Sequence, residues 1–103
     1  MKLKLLITAL CFVTTSGFAA ELATRVGLTL EVAKQISAAA EAEAAKNKWT
    51  VAIAIVDEGG HLIHLAKIDN TQYGSVDVAI QKAQTSAAFK RPTKVFEEAI
   101  VGA

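Results

Sequence analysis

Cysteine is nearly absent from this chain of 103 residues, since Cys11 is the only one. It lies inside an apolar N-terminal run, and the bulky Leu10 before it disfavours the lipid-attachment motif of lipoproteins. A chain that loses this run has no cysteine left, so it forms no disulfide and no thiolate metal site. We therefore expect the folded part to be held together by its core alone.

An excess of charge is also lacking, with 11 basic against 10 acidic residues. A nucleic-acid surface would show as a basic excess on one face, so we expect no nucleic-acid partner. Phosphate-binding loops, dinucleotide fingerprints, zinc spacings and nucleophile elbows are absent as well. Ser–His–acid catalysis needs no local motif, but nothing in the sequence supports it. We assign no catalytic residue.

The first residues have the three parts of a secretory signal peptide. Two lysines form a positive start, Leu5–Val13 is an apolar centre, and Gly17-Phe18-Ala19 fits a small-x-small cleavage site. The apolar run is shorter than the roughly 20 residues needed to span a bilayer. We predict a signal peptide over residues 1–19 and a periplasmic or secreted domain over 20–103, with no membrane contact after cleavage.

The next part of the chain has the pattern of a helix and a β-hairpin. Thr29 is a good N-cap for a helix over Leu30–Lys46, and Asn47 is expected to end it in the left-handed conformation. The β-branched run Trp49–Val56 predicts a strand buried on both faces. Asp57-Glu58-Gly59-Gly60 predicts a turn with positive φ at a glycine, and His61–Ile68 the return strand.

Two further helices are predicted after a loop at Asp69–Gly74. Ser75 is expected to cap the second, in which apolar residues recur at helical spacing. Lys90-Arg91-Pro92 breaks this helix because the residue before a proline avoids helical dihedrals. Thr93 is expected to cap the third helix.

Three segments between Ile55 and Phe96 resemble the GlcG/HbpS-like family, which includes the C-terminal domain of PduO. They read I-V-D-E-G-G-H-L-I-H-L, Y-G-S-V-D-V-A-I-Q-K-A and F-K-R-P-T-K-V-F. The resemblance, over roughly Leu28 to the end, implies an α+β domain with a profilin-like antiparallel sheet and flanking helices. It also implies three further strands and a last helix.

We therefore expect residues 20–103 to be the N-terminal part of a single domain of this family, truncated at its C-terminus. The alternative is a natural short form that pairs its exposed hairpin edge in an oligomer, because an uncovered edge is an aggregation hazard.

The signal peptide and the resemblance together imply an exported haem-binding or haem-handling protein. We expect it to be non-catalytic because no catalytic motif is present, and to be a homo-oligomer because so small a domain is marginally stable alone. Two alternatives stay open. One is an extracytoplasmic oligomeric interaction module without haem. The other is an enzyme or binder for a small carboxylate, which the Arg91-Pro92-Thr93 corner suggests because free helix N–H groups and cations hold anions.

His61 and His64 are the only histidines. Three apart on a strand, they point to opposite faces and are poor joint ligands for one metal unless the strand is bulged. Either alone can ligate haem iron. His61 is favoured because it follows the turn, and His64 is the weaker candidate. The alternative for both is an ordinary, partly exposed strand residue.

Four residues are candidates for holding a haem or another small anionic ligand. Arg91 and Thr93 belong to the basic start of the third helix, where a haem propionate fits. The same residues are equally explained by helix termination and restart. Tyr73 and Ser75 precede the second helix and form a second possible polar site. Tyr73 and Phe96 offer flat contact to a porphyrin, or they are packing residues.

Overall fold

The computed structural model describes residues 20–102. The predicted signal peptide, with Cys11, lies outside the described residues. The elements are α1 Leu30–Lys46, β1 Ala52–Val56, β2 Leu62–Lys67, α2 Gly74–Phe89 and α3 Lys94–Val101. The predicted order is confirmed: the chain is an α+β protein with a two-stranded antiparallel sheet.

The start of α1 is capped as predicted. Thr29 is extended, and its Oγ1 accepts from Val32 N at 3.3 Å. This bond satisfies one of the free N–H groups of the first turn. The acidic Glu31 lies in that turn, where the helix dipole favours it.

The end of α1 differs from the prediction, because Asn47 is not left-handed (φ −94°). Lys48 takes that conformation instead, with φ 57°. Trp49 N donates to Ala44 O at 2.9 Å, which closes the six-residue loop of a Schellman cap. The Asn47 side-chain amide donates to the Glu43 carbonyl at 2.8 Å, and its backbone N–H donates to the same oxygen at 3.2 Å.

The hairpin strands are shorter than predicted, and their register shifts once. Ala54 lies opposite Leu65 and Ile55 opposite His64, but Val56 lies opposite Leu62. Ile63 is therefore an extra residue, as in a β-bulge. Ile55 is the one buried residue of β1 and the other four are half-buried, so the predicted burial of β1 on both faces is only partial.

The connecting turn is a three-residue loop with one left-handed glycine. Gly60 N donates to Asp57 O at 3.0 Å, and Asp57 N donates to His61 O at 2.8 Å. This pairing belongs to a type I turn followed by a bulge residue. Gly60 has φ 82°, so the positive φ predicted for this turn falls on the second glycine and not on Gly59.

The helix caps around α2 and α3 correct two predictions. Helix α2 begins at Gly74, so Ser75 is inside the helix and Tyr73 takes the cap position without a side-chain bond. Thr93 occupies the cap position of α3, but its backbone is already helical and its side chain makes no capping bond. Lys90 ends α2 in the left-handed conformation, with φ 53°.

The core lies between α1 and the hairpin, since α1 packs against both strands. Helix α2 packs against β1. The buried apolar residues are Ala33 and Ala44 of α1 and Ile55 of β1. Two larger apolar residues of α1, Val32 and Ile36, are exposed. The small side chains of the buried face let the α1 backbone approach the sheet, but they leave the core small.

Two contacts join α3 to α2. The rings of Phe89 and Phe96 meet edge to face, with centroids 5.3 Å apart and planes at 67°. The Lys82 ammonium lies 2.8 Å from the Glu97 carboxylate. Within residues 20–102, no helix has both the length and the apolarity that crossing a membrane requires.

Candidate ligand site at the hairpin turn and the α2–α3 corner

Helix α2 runs beside β1 and brings the hairpin turn to its C-terminal half. At one end, Ser75 and Ala79 share a cavity with Ala52, at the start of β1. Further along, the Gln84 side-chain amide donates to the Gly60 carbonyl at 3.3 Å. The turn, which follows the end of β1, therefore lies beside the second half of α2.

The turn is organised around the carboxylate of Asp57. Its Oδ1 accepts from Gly59 N and His61 N, both at 2.9 Å. The same oxygen lies 3.2 Å from His61 Nδ1, and Oδ2 lies 3.3 Å from it. The hydrogen bond from the His61 backbone, helped by those from Gly59 and the imidazole, lowers the pKa of Asp57 below its usual value. The carboxylate is thus an anion at neutral pH.

His61 is the more accessible of the two histidines. Its side chain is 83% exposed, and its Nδ1 faces Asp57. Only Nε2 is then left for another partner. His64 lies within β2, opposite the buried Ile55, and is half-buried. The two histidines thus occupy different settings, a turn and a strand.

Within the part of the chain that the structure describes, no three His, Cys, Asp or Glu side chains come together as a metal site would require.

A basic and aromatic corner lies where α2 meets α3. The Arg91 guanidinium carbon is 6.0 Å from the centre of the Phe96 ring, within reach of a cation–π contact. Phe89 is 60% exposed beside it. Phe89 follows Gln84 by five positions on the helix, which corresponds to about 7.5 Å along its axis. The turn and the corner therefore both lie toward the C-terminal end of α2.

The other predicted ligand residues lie at the opposite end of α2. A helix of this length spans about 24 Å, which separates Tyr73 and Ser75 from Arg91 and Thr93. Ser75 lines a cavity of about 470 Å³ between α2 and the start of β1. Tyr73 is 91% exposed, with the Lys67 ammonium 5.7 Å from its ring centre. Two of the four candidate residues thus lie near each end of α2.

Sequence reasoning missed that Asp57 contacts His61. Asp57 was interpreted as a turn former alone, and it does form the turn. The spacing D-E-G-G-H carried the further signal, because a turn that includes a left-handed glycine brings residues four apart face to face. Gln84 and Phe89 were missed as well, since their role depends on where the hairpin lies against α2.

Comparison with known proteins identifies the family of this chain. A family model described as a haem-degrading protein, HbpS-like, matches residues 28–102. This chain belongs to the HbpS-like family. The chain is 40% identical over 77 residues to protein GlcG of Escherichia coli strain K12. The match covers 75% of this chain and 58% of GlcG. The GlcG of E. coli O6:H1 gives the same values.

A more distant relative of this HbpS-like protein is an uncharacterised 15.0 kDa protein from the dhaT–dhaS intergenic region of Citrobacter freundii. The two are 29% identical over 73 residues, which is 71% of this chain and 51% of the relative. The chain therefore spans between about half and three-fifths of the length of its curated relatives. No solved structure gives a significant match.

Proposed function

We propose that this chain is an exported, non-catalytic haem-binding protein. The haem-related family supports the class of ligand. The observation that carries the proposal is the Asp57–His61 pair, which engages Nδ1 and leaves Nε2 open on an exposed ring. A neutral imidazole with one open nitrogen is a common iron ligand in haem proteins.

The residues around the turn fit the parts of a haem. Haem supplies an iron that takes axial ligands, a flat apolar ring and carboxylate groups. His61 Nε2 would take the axial position, Phe89 and Phe96 would contact the ring, and Arg91 would pair with a carboxylate. His64 is the weaker candidate because its strand position is half-buried.

The proposal of export is based on the N-terminal sequence. Its charged start, apolar centre and small-residue cleavage site follow the order of a signal peptide. A periplasmic or secreted protein that holds haem through one exposed histidine would suit capture or transfer of the ligand. No residue of the turn or the corner is assigned a bond-breaking role.

Haemin titration tests haem binding. The protein should shift and sharpen the Soret band of added haemin in a saturable manner. An unrelated protein of similar size and charge serves as the control, because haemin adsorbs to many apolar surfaces. Spectra that are identical for the two proteins would rule out a specific site.

A second candidate function is an oligomeric interaction module, which is favoured by the edge of β1 that pairs with no strand within residues 20–102. Val51 O accepts from Ile68 N, and Asp57 N donates to His61 O, so the odd-numbered residues of this run face β2. By alternation, the backbone groups of Ala52 and Ala54 face the other edge. A strand from another copy would pair there. Light scattering over a dilution series tests this, and a monomer at every concentration would exclude it.

A further inference from the structure

The carboxylate of Asp57 and the imidazole of His61 form a pair whose role goes beyond closing the turn. We infer that Asp57 is a positioning residue: it accepts the hydrogen of His61 Nδ1 and so keeps Nε2 unprotonated and open to a metal centre. This inference rests on the proposed function for the identity of the ligand. The tautomer of His61 depends only on residues of this chain, so that part of the inference holds whatever the ligand is.

Asp57 can orient the ring because the carboxylate is itself fixed. Two backbone N–H groups, of Gly59 and His61, hold Oδ1 at 2.9 Å. Nδ1 then lies within 3.3 Å of both carboxylate oxygens. Which ring nitrogen carries the hydrogen is set by the partner that accepts it, and an anionic carboxylate is a strong acceptor. Metal-bound histidines commonly have such a carboxylate behind them.

The turn has room for the ring because position 59 has no side chain. A Cβ added to Gly59 would lie 2.9 Å from His61 Nδ1 and 3.0 Å from its Cε1. Gly59 is therefore the residue over which the imidazole lies. Gly60 shows the contrast, since a Cβ there would meet nothing within 4 Å. Gly59 leaves space for the imidazole ring, and Gly60 provides the left-handed conformation of the turn.

His64 provides an internal reference. Among the residues that the structure describes, no hydrogen bond joins its ring to a carboxylate, in contrast to the bond of His61. The tautomer of His64 should therefore not respond to changes at Asp57. Glu58 provides the matched control, because it is the neighbouring carboxylate of the same turn and lies outside the Asp57–His61 pair.

The test records long-range ¹⁵N–¹H spectra of the imidazole rings at about pH 8, above the typical histidine pKa of about 6.5. The full chain, Asp57→Asn and Glu58→Gln are compared. Asp57→Asn keeps a side-chain oxygen for the two backbone N–H groups but removes the charge. We expect His61 to be protonated at Nδ1 in the wild type and in Glu58→Gln. In Asp57→Asn it should shift toward Nε2. The same His61 tautomer ratio in wild type and Asp57→Asn would overturn the inference.

A haemin titration of the same three proteins separates this inference from the proposed function. Loss of a partner behind a metal-bound histidine weakens metal affinity about 10–100-fold, so Asp57→Asn should bind haemin at least about tenfold more weakly than Glu58→Gln. Equal affinities in these two variants, with a wild type that binds, would contradict the positioning role. A wild type that does not respond to haemin would contradict the proposed function, and the tautomer spectra would then decide the inference about Asp57 alone.

Discussion

The side-chain amide of Gln84 donates a hydrogen bond to the carbonyl oxygen of Gly60 across 3.3 Å. This bond ties the tip of the hairpin to α2, although 24 positions separate the two residues in sequence. His61, which follows Gly60 directly, is thereby held beside the second half of α2. The bond thus links a local turn to the second half of α2.

Removal of the Gln84 side chain should loosen the turn without unfolding the domain. An exposed hydrogen bond of this kind contributes about 0.5–1.5 kcal/mol, so Gln84→Ala should lower the free energy of unfolding by about that amount or less. Amide hydrogen exchange at Gly60 and His61 should become faster. Gln81→Ala removes an exposed glutamine from the same helix and is the control. Equal exchange in the two variants would show that the contact has no effect.

The two glycines of the turn should respond differently to alanine. Gly60 has φ 82°, a conformation that costs a residue with a side chain about 1–2 kcal/mol, so Gly60→Ala should lower the melting temperature clearly. Gly59→Ala should instead displace the imidazole of His61 and have a smaller effect on stability, because the ring can rotate away. Glu58→Ala is the control, and thermal unfolding with His61 ring spectra measures both effects. A larger fall in melting temperature for Gly59→Ala than for Gly60→Ala would contradict this assignment of roles.

Local chemistry made much of the fold predictable. Thr29 capped α1, the Gly-Gly pair marked the turn, and Pro92 lay between α2 and α3 as expected. The errors arose where the hydrogen bonding of the surrounding backbone determines which of two adjacent residues adopts a given conformation. Lys48 rather than Asn47 is left-handed, because the Schellman cap at that point requires its left-handed residue one position after Asn47.

The site was harder to predict than the fold. His61, Arg91 and Thr93 were chosen from local motifs, but where they lie relative to one another depends on the packing of α2 beside β1. Sequence periodicity gives the apolar face of α2 and not its direction along the sheet. The separation of Tyr73 and Ser75 from the corner follows from the length of α2.

Acid should weaken the attachment of α3 to α2. The hydrogen bond and charge of Lys82, helped by Lys94, lower the pKa of Glu97 below its usual value of 4.5. A lowered pKa means that the folded state favours the carboxylate. The stabilisation is therefore present above pH 4.5 and is lost as the pH falls through the pKa of the folded state.

This acid response can be read locally, through the NMR shifts of the Phe96 ring during a titration from neutral to acidic pH. Glu97→Gln should remove the transition, and salt should weaken it because the pair is exposed. Glu98→Gln, on the same helix, should leave it in place. A transition that persists unchanged in Glu97→Gln would assign it to another carboxylate.

Export should remove the N-terminal segment. Intact-mass measurement of the protein from the extracytoplasmic fraction should show loss of residues 1–19, with Ala20 as the new N-terminus. We propose that the small residues Gly17 and Ala19 direct this cut, so Ala19→Arg should block it and leave the precursor with the membrane. A mature protein that keeps Met1 through Phe18 would contradict the export proposal.

Haem binding should depend on His61 more than on His64. The His61 ring is exposed beside the turn, whereas His64 lies mid-strand opposite a buried residue. An iron–imidazole bond is directional, so His61→Ala should change the position of the Soret band as well as the affinity. His64→Ala should leave the band in place.

Arg91→Ala should weaken haemin binding without moving the band, because a contact to a propionate does not touch the iron. Lys48→Ala removes a cation from the end of α1, away from the α2–α3 corner, and is the charge control. The three variants thus separate an axial ligand, a strand residue and a charge contact in one titration. If both histidine variants keep the wild-type spectrum, the iron is not held by a histidine of this chain, and the assignment of His61 is wrong.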